Sequence, residues 1–385
     1  MIKDKIRFID IKAIFLLGLL YVPALFFRLF NRNIWLCSER KDEARDNGYW
    51  MYKYIRENYS KQKCYYVITK TSIDRKKIEK YKTLITWGSL KHYFIFMAAK
   101  IRLSAHVDTD TPNSRVTNFM EKHHLLRNKR VFLQHGITKD KISFGYFNVN
   151  RADLFICGAI PEYEFCKNTF GHPEKNYVLT GFARFDGLNN NNVKKQILVI
   201  PTWRVWLNNV TEEEFKNSQY FKTYHSLINN CQLLNCLERN HYRLLFFMHS
   251  EMQKFIHLFA SNNEYLIIGD EKAYDVQALL NESNILVTDY SSVAFDFAYL
   301  RKPVVYYHFD YEKYRKYQHP KGYFSYRDDG FGPVMIKEND VINFISETIA
   351  NDANNEVKYE EKVNTFFKFF DKNNCSRIYY EIKKI

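Results

Sequence analysis

After residue 33, short apolar runs alternate with amphipathic stretches of helical period, and they do so in two successive series. The first series of candidate strands is Ile34–Cys37, Tyr65–Thr69, Leu84–Thr86, Ile101–Ala105, Arg130–Gln134, Asp153–Cys157 and Tyr177–Thr180. Helical patterns such as Ala44–Asn58 and Ser89–Ala99 lie between them. The second series is Ile197–Ile200, Leu244–Met248, Tyr265–Ile268, Ile285–Thr288 and Val304–Tyr307, with helical patterns at Gln219–Arg239, Met252–Ala260, Tyr274–Glu282 and Val293–Leu300. Strands joined through helices need crossover connections, so they build parallel sheets covered on both faces. Two series imply two doubly wound α/β domains facing each other, and 385 residues suffice for both at roughly 100–200 residues per domain. The polar stretch Leu188–Lys195 reads as the linker. The expected division is 33–187 and 188–385, the second domain ending in an aromatic-faced helix over Tyr359–Phe370.

Residues 1–32 form a separate segment. Lys3, Lys5, Arg7 and Lys12 precede the uncharged run Ala13–Phe27, and Arg28 and Arg32 follow it. That run has 15 residues and contains Pro23, whereas a spanning helix needs about 20. The pattern fits an element lying in the headgroup region of a membrane, basic at both ends. The whole chain carries 57 Lys+Arg against 43 Asp+Glu, a formal +14. Such an excess calls for an anionic partner: a phosphate-bearing substrate, a membrane surface or nucleic acid. Nucleic acid fits least, because the aromatics fall within apolar strands and helix faces rather than along a basic stripe. Seven cysteines without a CxxC pair exclude a zinc ribbon and point to reduced thiols in a cytosolic compartment.

In doubly wound sheets, ligands bind beyond the carboxyl ends of the strands. Several such ends carry polar groups that a plain loop does not need. Arg130–Gln134 delivers His135, followed by Gly136 and Lys139; a histidine there can take a proton from a hydroxyl near neutral pH. Tyr177–Thr180 leads to Arg184 and Asp186, where Arg184 can clamp a phosphate or simply pair with Asp186. Ile197–Ile200 ends in Pro201, Thr202, Trp203 and Arg204, and Leu244–Met248 ends in His249. The densest set is Thr288-Asp289-Tyr290-Ser291-Ser292 with Asp296, where Ser291 or Ser292 can cap a helix or help its amino end bind phosphate. Asp108-Thr109-Asp110 has the DxD pattern of some metal sites, but a three-residue match is no metal site by itself, and none is assigned.

Together these residues resemble the CDP-glycerol glycerophosphotransferase family, the teichoic acid primases and polymerases. The resemblance rests on His135-Gly136 with Lys139, Gly181-Phe182-Ala183-Arg184-Phe185-Asp186, Pro201–Arg204, His249-Ser250 and Thr288–Phe297, with Lys302-Pro303, Phe309-Asp310-Tyr311 and Gly322–Phe324 further on. Ala183 and Ser250 stand where the family usually has proline. The resemblance implies a GT-B-like fold, with two Rossmann-like domains and a cleft between them. It implies a CDP-glycerol or CDP-ribitol donor with no cofactor required. The acceptor would be a hydroxyl on a lipid-linked glycan or polyol-phosphate, reached from the cytoplasmic face of the membrane, and CMP would be released into teichoic acid or capsule synthesis. It places His135 and His249 as the catalytic pair, with either able to be the base. Gly136, Lys139, Arg184, Asp186, Thr202, Trp203, Arg204, Thr288, Asp289, Ser291, Ser292 and Asp296 would bind substrate. A GT-B glycosyltransferase using a nucleotide sugar is the alternative.

Overall fold

The computed structural model describes residues 6–385; Lys3 and Lys5, part of the basic amino end, lie outside them. The chain forms two compact units. Of the described residues, the first comprises 6–135, 143–186 and 369–385, the second 136–142 and 187–368. The chain therefore passes between units at the end of the Arg184–Asp186 loop. Its last 17 residues return to the first unit, although the sequence pattern assigned them to the second.

The first unit holds a seven-stranded parallel sheet: β1 (Ile34–Ser38), β2 (Lys63–Ile68), β3 (Leu84–Thr86), β4 (Ile101–Ser104), β5 (Lys129–Phe132), β6 (Leu154–Cys157) and β7 (Tyr177–Leu179), in the order β3-β2-β1-β4-β5-β6-β7. The second holds β8 (Gln196–Val199), β9 (Arg243–Phe247), β10 (Leu266–Gly269), β11 (Ile285–Thr288), β12 (Val304–Tyr307) and β13 (Val334–Met335), in the order β10-β9-β8-β11-β12-β13. Each sheet reverses direction once, between β1 and β4 and between β8 and β11, which is the doubly wound arrangement. The central strands are buried along their whole length, as in β1, β4, β8 and β12, because helices cover both faces. This is why they appear in the sequence as unbroken apolar runs.

The amino-terminal helix runs from Phe8 to Phe30, 23 residues, straight through Pro23. The expectation of a shorter, proline-interrupted element therefore does not hold. A proline removes one intrahelical donor, and here packing outweighs that loss. Ala13, Leu17 and Ala24 are buried in a cluster with Ile95 and Phe96 of the helix Leu90–Ala98, and Phe27 meets Phe94 with ring centroids 5.2 Å apart. Asp10, 2% exposed, bonds Asn113 at 3.0 Å and Arg115 at 3.1 Å, and its bonds to Arg7 and these groups hold its pKa well below the usual range. The other face is apolar and bare. Phe8, Phe15, Leu19, Val22, Phe26 and Phe30 are all at least 60% exposed and recur every three to four residues or multiples of that spacing. By length and composition this helix could cross a membrane.

Candidate functional site

In the first unit, β5 ends at Phe132 and the backbone turns at Gln134 (φ 57°), which presents His135 beyond the sheet's carboxyl edge. Asn47, wholly buried in the first turn of the helix Asn47–Asn58, fixes this turn. Its Nδ2 donates to the Gln134 carbonyl at 2.7 Å and its Oδ1 accepts from the Arg184 backbone N–H at 3.0 Å. One amide thus ties the His135 loop to the Arg184 loop. Arg184 in turn donates through Nη1 to Asp46 at 2.7 Å and to the His135 carbonyl at 2.5 Å.

The His135 ring is reached by solvent, but the protein packed around it lowers its pKa to about 4, helped by Arg184 and Arg40 and opposed by Asp46. It is therefore neutral at pH 7 and able to accept a proton. His106 stacks on it with centroids 4.6 Å apart and planes 16° apart, and the buried His106 Nδ1 has no partner among the described residues. Glu39, buried after β1, accepts from the N–H groups of Arg45 (2.5 Å), Asp46 (3.1 Å) and Tyr49 (2.9 Å), so it braces the turn that carries Asp46 and Asn47. Asp186 has another partner. It accepts from the backbone N–H of Asn374 (2.9 Å) and Cys375 (2.8 Å), capping the helix Asn374–Lys383.

In the second unit, the strand ends flanking the reversal meet through one buried network. Arg204 is fully buried. It donates to Asp310 through Nε (2.8 Å) and Nη2 (3.0 Å), to Asp289 through Nη2 (2.8 Å), and to the Thr202 carbonyl through Nη1 (2.7 Å). Asp289 also accepts from the Thr202 N–H at 2.8 Å and from the Tyr224 hydroxyl at 3.0 Å. Despite burial, Arg204 and the Thr202 contacts hold the Asp289 pKa below its ordinary value. The Thr202 hydroxyl is buried without a partner among the described residues. Thr288 turns its hydroxyl to the Ile200 carbonyl at 2.7 Å. His249 is half-buried; its Nδ1 accepts from the Glu251 N–H at 3.2 Å, and its ring lies 6.2 Å from that of Trp203. Ser291 accepts from the Val293 N–H at 3.4 Å, Ser292 makes no capping bond of its own, and Asp296 is buried in the short helix Val293–Tyr299. Gly136 opens the segment 136–142, in which buried Lys139 pairs with Asp140 and Asp140 with Arg315 at 2.6 Å.

The structure thus groups Arg184 with His135 in one unit, and Thr202, Arg204 and Asp289 in the other. It also shows the charges of Lys139, Arg184 and Arg204 already engaged by carboxylates. Asp46, Asn47, Glu39 and His106 escaped the sequence reading. Only the Asp46-Asn47 pair gave a signal, as helix-start residues, and nothing local tied it to His135. Asp110 and Asp108 are ion-pair partners of Arg102 (2.8 Å) and Arg130 (2.6 Å).

Residues 20–384 match the family model described as CDP-glycerol:poly(glycerophosphate) glycerophosphotransferase. The minor teichoic acid biosynthesis protein GgaB of Bacillus subtilis is 34% identical over 93% of this chain, which covers 41% of that protein. A teichoic acid poly(glycerol phosphate) polymerase of Bacillus spizizenii is 26% identical over 70% of this chain and 66% of its own length. The chain therefore spans about two fifths to two thirds of these relatives. Among solved structures, the wall teichoic acid polymerase TagF superposes with a TM-score of 0.68 at 18% identity, covering 96% of this chain and 97% of that one, which supports the GT-B-like fold. With the motif residues standing at strand ends as described, the chain belongs to the CDP-glycerol:poly(glycerophosphate) glycerophosphotransferase family.

Proposed function

We propose that this chain moves glycerol phosphate or ribitol phosphate from a CDP-polyol to a hydroxyl of a membrane-linked polyol-phosphate or glycan acceptor, in teichoic acid or capsule-type synthesis. The observation that carries this reading is the placement of His135, held by Asn47 and Arg184 at the carboxyl edge of β5, in a chain of this family. The acceptor oxygen attacks the β-phosphorus while His135 takes its proton. A new P–O bond forms, the bond to CMP breaks, and CMP leaves with that electron pair. His249, the Thr202 hydroxyl, Trp203, Ser291 and Ser292 bind the donor. Arg204, Asp289 and Thr288 act by fixing the strand ends that present these groups, since their own polar atoms are engaged within the fold. Arg184 and Lys139 hold the loops on either side of His135 and Gly136, Asp186 anchors the Arg184 loop, and Asp296 belongs to the helix that follows the serines. Catalysis of this kind is positioning plus electrostatics. The bare apolar face of the amino-terminal helix rests in the membrane's cytoplasmic headgroup region, which brings the chain to a lipid-linked acceptor.

The test is a donor panel of CDP-glycerol, CDP-ribitol and UDP-sugars with a lipid-linked acceptor, read by product mass, on wild type and His135→Ala. One CDP-polyol is consumed and CMP appears. His135→Ala loses about 10²–10⁴ in kcat, as removal of a general base does, while still binding the donor. Wild-type turnover by the variant, or transfer from a UDP-sugar alone, refutes the assignment.

A further inference from the structure

A recess of about 860 Å³ opens on the first unit at the amino ends of β5, β6 and β7, the sheet edge opposite to His135. Arg102 and Arg130 line it, each under 5% exposed, with Glu121 and Asp153. Glu121 is engaged by Arg102 and Arg130 and Asp153 by Lys129 at 2.8 Å, and the Ile385 carboxylate also lines the recess, so the lining cations still outnumber the acids. Three further cations, Arg127, Arg151 and Lys175, have no carboxylate partner among the described residues. Each precedes a successive strand: Arg127 before β5, Arg151 before β6, Lys175 before β7. Adjacent strands are about 4.8 Å apart, so the fold sets these charges in a row along the sheet edge.

We propose that this recess binds a linear polyphosphodiester, the growing or accepted polyol-phosphate chain, away from the reacting end. The inference rests on the polyol-phosphate reading above. A row of uncompensated cations suits a ligand with one negative charge per repeat. The recess and His135 lie at opposite ends of the buried strand β5, so the recess is a site apart from the one at the sheet's carboxyl edge. A flat lipid surface would touch the exposed rim residues Arg127 and Lys175 but not the buried Arg130 behind them; a single chain can enter.

The test titrates the protein, without donor, with a synthetic glycerol-phosphate octamer, with glycerol phosphate monomer, and with vesicles of phosphatidylglycerol or phosphatidylcholine. Wild type binds the octamer far more tightly than the monomer. The triple variant R127Q/R151Q/K175Q weakens octamer binding at least tenfold and flattens the log–log salt dependence by about 2, near 0.7 per lost phosphate contact. Transfer to a one-unit acceptor stays at the wild-type rate and the polymer products shorten. If the triple variant melts at a lower temperature, R127E/K175E, which alters only exposed side chains, must show the same loss. Unchanged octamer binding in both variants overturns the proposal. So does a loss confined to phosphatidylglycerol vesicles, which would give the recess to the membrane. Octamer binding through the recess in a protein that transfers no polyol phosphate overturns the functional reading and leaves the site standing.

Discussion

Asn47 is the residue whose removal should separate catalysis from binding most cleanly. Its two ends hold the Gln134 carbonyl and the Arg184 N–H. Asn47→Ala removes both bonds from a buried turn, a cost of about 1–3 kcal/mol, and loosens the His135 loop. The expected outcome is a fall in kcat of about tenfold or more with donor KM nearly unchanged, measured by steady-state kinetics. Asn47→Asp, which retains the acceptor for Arg184 but loses the donor to Gln134, should fall between. Equal changes in kcat and KM would show that the residue merely supports the fold. His135 itself predicts a pH signature. With its pKa lowered to about 4 by the surrounding protein and by Arg184 and Arg40, the acid limb of kcat/KM should lie well below the ordinary histidine value of 6.5. A limb at 6.5 or above would mean that another group is the base.

At the scale of elements, the strands were legible because both their faces are buried. Leu84–Thr86, Ile285–Thr288 and Val304–Tyr307 match the apolar runs residue for residue, while β13 is two residues long and offers no period to read. The pattern over Gln219–Arg239 reads as one helix but folds as two, Gln219–Ile228 and Cys231–Asn240. Asn230 accepts from the N–H groups of Gln232 and Leu233 and so starts a second helix, a local hydrogen bond that apolar periodicity cannot reveal. The segment Met252–Ala260, read as a helix, winds as a tighter 3₁₀ stretch over Ser250–Phe259. The site was legible as far as which strand ends carry chemistry. Its pairing was not, because Arg204 meets Asp289 and Asp310 across 85 and 106 residues of sequence. The amino-terminal helix yields the prediction at this scale. Its outer face leaves Phe15, Val22 and Phe26 each above 60% exposed. F15D/V22D/F26D should keep the melting temperature and abolish cosedimentation with vesicles, whereas Leu17→Asp, on the buried face, should destabilise the protein by several kcal/mol. Undiminished vesicle binding by the triple variant would sink the membrane role of this helix.

At the scale of the molecule, both units use the same strand order, and both bury histidines that must stay neutral to fold. His92 in the first unit is wholly buried, contacting the Asp110 carbonyl at 2.9 Å; His308 in the second is 4% exposed, contacting the Asp289 carbonyl at 3.1 Å. Burial lowers each pKa from 6.5 to about 4. In the unfolded chain these imidazoles bind protons from about pH 6.5 downward, while in the native state they do not until about pH 4. The unfolded state therefore takes up more protons in that window, and stability must fall as pH drops through it. The depressed pKa values of Asp289 and Asp140 act in the same direction, but only below about pH 4, where unfolded aspartates begin to protonate. Lys302, lowered to about 7 by burial, loses stability as pH falls from 10.5 to 7, and buried Glu39, raised to about 8, gains it from 8 to 4.5, so thermal melts read the histidine effect as a difference between wild type and variant over pH 6.5 to 4. His308→Gln, which retains a side-chain donor for the Asp289 carbonyl but cannot titrate, should reduce the decline over that window by on the order of 3 kcal/mol at pH 4. The substitution also changes packing at every pH, so the comparison is the slope between pH 6.5 and 4, not the absolute melting temperature. A variant whose slope equals that of wild type would show that His308 is already charged in the folded protein, and with it that the Asp289 end of β11 is wetter than its burial implies.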